Sequence, residues 1–449
     1  MANGSPHYRP GQKELSPNMP TQISRGALAA LLVTALAACH TSTLAPASTT
    51  ADSAAVRADI AVLSSDALEG RATGAPGNDS AAAYLVRRYR SLALHPVLQH
   101  FIAHSIADAH AGRNSNLRTQ NVFAILSGTD ARLRGQYIVI GAHFDHLGRS
   151  PDFALDPDAK NAIRPGADDN ASGTAAVLEL ARLFALRPAA RPMLFVNFSG
   201  EELGDLGSEY FVQHAPVPLD SVDAMLNFDM VGRLKADKLL VYGTATAAEL
   251  PAIVTAANVE PKFTLTAIGD GFGASDHASF YGKNISVLHF FTDVHEDYHR
   301  ATDRIEKINA AGEARVIDFA ARIARVIADR PGRLTFTRAP EPQRTASSSA
   351  SSSSTSSTGY GPAYLGTIPE MGATEIRGVR LSGVREGSPA DKAGLKSGDV
   401  IVELGGTPIG DLYAYTDALR AHKPGDVVAV IILRDGARST LTVTLGERK

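Results

Sequence analysis

Two adjacent carboxylates, Glu201 and Glu202, follow an apolar run in FVNFSGEELG (195–204). A Glu-Glu pair on a solvated loop is the ordinary case, yet other apolar runs end in acids and imidazoles in the same way. QYIVIGAH leads into His143, Asp145 and His146, and AMLNF leads into Asp229. ISVLHFFT is followed, a few residues later, by HEDYH, which ends at His299. Asp168 and Asp169 stand in ADDNASG, just ahead of a helical pattern. Singly, each has a plain structural explanation: an Asp pair before a helix caps it, and a histidine at a strand end is often a satisfied polar group. Together, two histidines and three carboxylates at one rim leave unpaired negative charge unless a cation sits among them. Imidazole with carboxylate, and no thiolate, suits zinc or a similar borderline metal. Five donors exceed the three protein ligands of a catalytic zinc and fit two metals that share a carboxylate.

Such a rim needs a scaffold. Between about residues 55 and 336 the apolar runs QYIVIGAH, PMLFVNFS, DAMLNFDM, KLLVYG and ISVLHFFT alternate with helical patterns, notably SGTAAVLELARLFAL and INAAGEARVIDFAARIARVIAD. Near-continuous apolar strands alternating with helices predict an α/β domain with a mostly parallel sheet covered by helices on both faces. In such sheets ligands bind beyond the carboxyl ends of the strands. Every run except KLLVYG delivers a metal-capable side chain there.

The chain has 449 residues, 44% hydrophobic and 20% charged, with a net charge of −3. That length predicts two or three domains, and the charge gives no reason to invoke nucleic acid or an acidic membrane surface. The single cysteine, Cys39, permits no internal disulfide. It ends GALAALLVTALAAC (26–39), which has the length of a signal-peptide core and is too short to span a bilayer. The terminal LAAC resembles a bacterial lipoprotein signal. That resemblance implies lipidation of Cys39, membrane attachment only through that anchor, and a periplasmic or outer-membrane location. The expected organisation is a signal segment (1–39), a tether (40–54), the α/β domain (55–336), a Ser-rich linker (337–360) and a small mixed β domain (361–449).

The ordered motifs His-x-Asp, Asp-Asp-Asn-Ala-Ser-Gly, Ser-Gly-Glu-Glu-Leu-Gly, Asn-Phe-Asp-Met and Asp-Tyr-His resemble the co-catalytic di-zinc aminopeptidases of metallopeptidase family 28. Matching runs extend from SSDALEGRATGAPGN (64–78) to YHRATDRIEKIN (298–309). The resemblance implies a zinc-exopeptidase-like fold and two Zn2+ ions per chain. His143 and Asp229 would bind one zinc, Glu202 and His299 the other, and Asp169 both. Asp145 would orient His143 through its other ring nitrogen. Glu201 would be the general base, and Tyr298 would help to stabilise the oxyanion. Ser275, Asp276 and His277 in GASDHASF either line the substrate pocket or form a structural loop. His146, His289 and His295 are read as bystanders or supports of the ligands, and residues 149–165 as a loop at the rim. The stretch from about Pro96 to Gln120 is too short for the protease-associated domain that some relatives insert there.

In the last ninety residues, SPADKAGLKSGDVIVELGG (388–406) resembles bacterial PDZ domains. The resemblance implies a peptide or protein ligand added as a strand beside a groove helix, here at about 411–422 with Asp411 as its cap. The terminus-binding loop would be Tyr364, Leu365 and Gly366. The same zinc scaffold also carries carboxypeptidases, glutaminyl cyclases and, in a related family, amide deacylases, so fold and ligands alone do not choose the reaction. An inactive peptide-binding protein is the alternative of another class, and retention of Glu201 argues against it.

Overall fold

All five apolar runs form strands, and four of them alternate their side chains between two cores, which fixes the register of the central sheet. In β3 (Tyr137–His143), Ile138, Ile140 and Ala142 enter one core and Val139 the other. In β4 (Met193–Phe198), Met193 and Phe195 face the first core while Leu194, Val196 and Phe198 face the second. β4 is wholly buried and β3 is buried in all but Tyr137, as strands covered on two faces must be. The computed structural model describes residues 49–104, 116–150, 153–156, 159–271, 273, 275–338, 363–369, 378–384, 387–396, 398–410, 414–415, 418–419, 421–434 and 436–446. Cys39 with its signal segment, and nearly all of the Ser-rich linker, lie outside those residues.

The strands of the first domain are β1 (Val97–His104), β2 (Asn116–Leu126), β3, β4, β5 (Val222–Phe228), β6 (Lys238–Tyr242), β7 (Thr264–Ala267) and β8 (Ser286–Phe291). They pair in the order β1-β2-β4-β3-β5-β8-β6-β7. The centre, β4-β3-β5-β8, is parallel, so three of its strands end where ligands are expected and β8 leads into the loop carrying His299. β6 runs antiparallel to β8. That explains why KLLVYG delivers no ligand: its carboxyl end points to the opposite edge. The sheet is therefore mixed rather than mostly parallel at its flanks. The hairpin β1–β2, absent from the sequence reading, occupies part of the stretch between Pro96 and Gln120.

The first core is closed by α1 (Ser53–Leu63), α2 (Pro76–Ser91), α3 (Gly173–Leu186), α5 (Leu250–Ala257) and α7 (Ala310–Asp329). The second lies under α4 (Leu206–Gln213) and α6 (His277–Tyr281). Helix α1 starts two residues inside the span read as tether. Asp52 caps it by accepting from the amides of Ala54 and Ala55, and the Ala51 amide donates to Asp318. At the other end Thr337 still bonds to Thr246, so the domain runs slightly past residue 336.

The second domain has the antiparallel order β14-β13-β11-β10-β9, with β12 (Thr407–Pro408) paired to β11. These strands are β9 (Thr367–Pro369), β10 (Val379–Val384), β11 (Val400–Leu404), β13 (Val427–Arg434) and β14 (Ala437–Thr444), with a short helix α8 (Pro389–Lys392). Its own core includes Leu365, Leu381, Ile401, Leu404, Val430 and Ile432. Asp411 and much of the expected groove helix lie outside the described residues. Tyr415, within that span, meets the Thr367 hydroxyl at 2.5 Å.

An ion pair on a buried carboxylate contributes to the acid stability of this domain. Arg434 holds Asp399 with Nε–Oδ1 at 2.6 Å and a second nitrogen on Oδ2 at 2.7 Å. Burial alone would raise the Asp399 carboxyl, but the Arg434 bonds outweigh it and hold the carboxyl below its ordinary value. A folded pKa below the unfolded one stabilises above the ordinary carboxylate range and loses that contribution as pH falls through the folded value. Asp399→Asn should lower the melting temperature of this domain in the full chain at pH 7, consistent with about 1–3 kcal/mol. Scanning calorimetry between pH 7 and pH 3 should show the gap to the native chain closing below about pH 4. A gap that does not depend on pH would show that the pair's charge is not what stabilises.

Candidate active site

The ligand-bearing turns are assembled around one buried cation, Arg71. Its Nε donates to the Phe144 carbonyl at 2.8 Å, and its terminal nitrogens donate to Leu63 at 2.5 Å, Pro165 at 2.6 Å and Gly166 at 3.0 Å. One guanidinium thus ties the end of β3, which carries His143 and Asp145, to the 166–172 turn, which carries Asp168 and Asp169. Burial lowers Arg71 to about 10, which leaves it cationic at neutral pH. Sequence reading singled out GRATG only as part of a matching run. The signal for Arg71 was an arginine amid small residues and glycines, which leaves its partners unnamed.

The 166–172 turn is fixed from both sides. Asp303 Oδ2 accepts from the amides of Asp168 at 2.9 Å and Asp169 at 3.1 Å. On the other side Asp168 Oδ1 accepts from the Gly232 amide at 2.7 Å, and Asn170 donates to the Phe228 carbonyl at 2.9 Å. Ser172 Oγ accepts from the Val231 amide at 3.0 Å. Three side chains of ADDNAS therefore bond to backbone groups of residues 228–232, the turn that carries Asp229. Asp168 is a brace here rather than a helix cap, and His295 faces its other oxygen at 3.0 Å.

These turns leave four carboxylates and two imidazoles facing one another. His143 Nε2 lies 3.4 Å from Asp229 Oδ1 and 3.5 Å from Asp169 Oδ1. His299 Nε2 lies 3.2 Å from both Asp169 Oδ2 and Glu202 Oε2. The two oxygens of Asp169 thus address separate histidine–carboxylate pairs. Donors bound tetrahedrally to one zinc, at bond lengths of 2.0–2.1 Å, stand about 3.3 Å apart. His143 Nε2 and Asp229 Oδ1 are buried without a hydrogen-bond partner, the condition of atoms shaped for an ion. The donor atoms of His143, Glu201 and Asp229 lie within 4.8 Å of one another, as do those of His146, Asp169 and Glu202. The chemistry and spacing of this donor set fit two ions sharing Asp169.

The other ring nitrogen of each histidine is engaged by backbone. His299 Nδ1 donates to the Phe153 carbonyl at 2.9 Å, which turns Nε2 toward the carboxylates and makes it the nitrogen a metal would use. This gives residues 149–165 a role beyond narrowing the rim. His143 Nδ1 meets the Asp145 carbonyl oxygen at 3.2 Å, while the Asp145 carboxylate is 3.6 Å away and outside hydrogen-bond range. Asp145 therefore orients His143 through its backbone. Its carboxylate accepts instead from Thr73 Oγ1 at 2.7 Å and the Glu201 amide at 3.3 Å.

Glu201 and Glu202 leave β4 through Gly200, whose φ of 88° suits glycine and turns the chain sharply. Glu201 Oε2 stands 3.8 Å from His143 Nε2. Burial pushes the Glu201 carboxyl well above its ordinary value against the opposing pull of His143. Burial acts on Glu202 the same way, but His299 and His146 outweigh it and hold that carboxyl well below its ordinary value. The same carboxylates act in reverse on His299, raising it to about 10 despite burial. Tyr298 stacks on the His299 ring at 3.8 Å, and burial with the surrounding carboxylates keeps its phenol protonated.

A sequence profile of peptidase family M28 matches residues 121–324. A PDZ domain profile matches residues 355–445. The chain carries an M28 peptidase domain and a PDZ domain. Aminopeptidase YwaD from Bacillus subtilis (strain 168) is 29% identical over 215 residues, 43% of this chain and 42% of that protein. The M28 domain shares its fold with a zinc aminopeptidase from Bacillus subtilis (TM-score 0.53, 19% identity, 63% of this chain and 97% of that one). It is equally similar to a glutaminyl cyclase from Porphyromonas gingivalis (TM-score 0.52, 18% identity, 61% of this chain and 98% of that one). The chain spans less than half the length of curated relatives such as YwaD.

Of the remaining sequence candidates, Ser275 accepts from Asn227 Nδ2 at 2.8 Å, and His277 stacks on His289 at 4.4 Å. Both lie buried beneath the Asp229 turn, a placement that favours support over a pocket wall. In the PDZ domain Tyr364, Leu365 and Gly366 immediately precede β9. Tyr364 exchanges two backbone bonds of 2.8 Å with Gly446, and the Leu365 carbonyl accepts from Ala390.

Arg71→Met would strand four carbonyls that the guanidinium now satisfies, at about 1–3 kcal/mol each where no water reaches. Urea unfolding of the metal-free chain should show a loss of at least about 3 kcal/mol in the M28 domain. Arg71→Lys should recover only part of it, since an ammonium cannot span all four. A loss below about 1 kcal/mol for the methionine variant would mean that the turns hold themselves.

Proposed function

We propose that the M28 domain is a two-zinc aminopeptidase that removes N-terminal residues from peptides. The observation that carries this reading is the placement of Asp169, whose two oxygens each face a histidine–carboxylate pair while Glu201 stands beside one of them. His143 and Asp229 would hold one ion, Glu202 and His299 the other, and Asp169 both. Two zinc ions bound there would polarise the scissile carbonyl and lower the pKa of a shared water toward neutrality. Glu201 accepts the proton of the attacking water and returns it to the departing amine. Its raised proton affinity suits that exchange. Tyr298 keeps its hydroxyl proton at neutral pH and donates to the developing oxyanion. Similarity to the aminopeptidase YwaD supports aminopeptidase chemistry, whereas the fold is common to a cyclase and does not select it. The PDZ domain would recruit or present peptides or protein partners. LAAC before His40 supports export as a lipoprotein anchored through Cys39.

The purified chain should contain two zinc ions by mass spectrometry and lose activity to chelators. Glu201→Gln should keep both ions while turnover falls about 10²–10⁴-fold. A variant that stays active would remove Glu201 as the base. Peptides offered with free and with acetylated N-termini separate the reactions: cleavage of the blocked peptides would sink the aminopeptidase reading and favour a deacylase or carboxypeptidase.

A further inference from the structure

His146 lies three residues beyond His143 and was read from sequence as a bystander or a support of the ligands. It is buried, and its Nδ1 lies 2.6 Å from Glu202 Oε1. An ionised carboxylate only accepts, so Nδ1 carries the proton and donates. The distance also shows what His146 is not. Two ligands of one tetrahedral zinc stand about 3.3 Å apart, as His299 Nε2 and Glu202 Oε2 nearly do at 3.2 Å. At 2.6 Å, His146 Nδ1 and Glu202 Oε1 are hydrogen-bonded partners and too close to be neighbours on one ion. Asp169 Oδ2 lies farther from Nδ1, at 3.8 Å.

Position 166 makes room for this ring. A Cβ built on Gly166 would come within 2.5 Å of His146 Cγ and Cδ2 and within 2.0 Å of the Asp169 carbonyl oxygen, and φ there is 56°. Only glycine lets the ring lie flat against the turn that carries Asp169. On its other side the ring meets His299 edge-on, with centroids 5.8 Å apart at 73°. His146 is thus held by packing independently of its hydrogen bond.

We propose that His146 is a positioning residue for the second metal: by donating to Glu202 Oε1 it leaves only Oε2 for the ion, and so fixes Glu202 as a one-oxygen ligand opposite His299. The inference rests on the two-metal reading. With one oxygen occupied, Glu202 would be kept from offering both, and Oε2 would join His299 Nε2 and Asp169 Oδ2 as the donors to that ion.

The test compares His146→Leu, which fills similar space and cannot donate, with His146→Asn, whose amide nitrogen can occupy the place of Nδ1. Zinc titration of the metal-free chain by calorimetry should show the second ion bound about 10–100-fold more weakly in the leucine variant, with the first ion within about threefold of native. The asparagine variant should bind both ions within about threefold of native. The Co(II)-loaded leucine variant should show a changed visible absorption band, from altered coordination by Glu202, and the asparagine variant a native one. Native affinity and spectrum in the leucine variant would overturn the inference. So would an asparagine variant that folds, by circular dichroism, yet loses the second ion. If the leucine variant fails to fold, the asparagine result decides alone. A native chain that binds fewer than two ions would instead defeat the two-metal reading itself.

Discussion

The carboxylate of Asp169 stands between two histidine–carboxylate pairs, one on each oxygen, and most of the surrounding structure exists to keep it there. A buried acid in that position is surrounded by like charge: Glu201, Glu202 and Asp229 all face the same space. Such a group survives only if its backbone cannot retreat and positive charge is available to it. The backbone is held by Asp303 on its amides, by Arg71 on the preceding carbonyls, and by Asn170 and Ser172 against the neighbouring turn. The raised proton affinity of His143 and His299 is a measure of how strongly the site attracts cations. A divalent cation held among these donors would answer that demand.

Arg71 and Asp303 illustrate a division of labour. Neither presents charge to a reacting group, and both spend their hydrogen bonds on main-chain atoms. That choice has a consequence for rigidity, because carbonyls and amides gripped by buried side chains cannot reorient when a substrate enters. Preorganisation of this kind is what keeps donors near 3.3 Å spacing with no side chain between them. The stacked layer of His277 and His289 under the Asp229 turn serves the same end from below.

The central strands and principal helices were legible because each buried strand is a near-continuous apolar run, and each such run at the parallel centre leads to a chemistry-bearing residue. The antiparallel course of β6 was not legible, since KLLVYG reads the same in either direction; only its missing ligand hinted at it. The edge hairpin β1–β2 escaped because VLQHFIAH and NLRTQNVFAIL are half-exposed and interleaved with polar residues. At the site, residue types and order named the donors, whereas the partners of their second nitrogens were backbone carbonyls, which every residue possesses. Hence the sequence named Asp145 as the residue that orients His143 but not the carbonyl that does it, and read residues 149–165 as a rim loop without naming Phe153 as the partner of His299. For His146 the sequence left bystander and support side by side for a related reason: its contact lies 56 residues along the chain.

The adjacent glutamates show why position, rather than residue type, divides the labour. Both carboxyls are pushed up by burial. Glu202 meets two imidazoles and is driven down, while Glu201 meets one, with Asp205, Glu202 and Asp229 adding like charge, and stays high. A carboxylate that holds its charge firmly suits a cation, and one that takes a proton readily suits proton transfer. The turn at Gly200 creates this difference by sending the two side chains in different directions. Interchanging the roles would require interchanging their histidine neighbours, which reside on opposite sides of Asp169. The dipeptide is thus specified by the Asp169 carboxylate at a distance: once Asp169 separates the imidazoles of His143 and His299, the two glutamates cannot be equivalent.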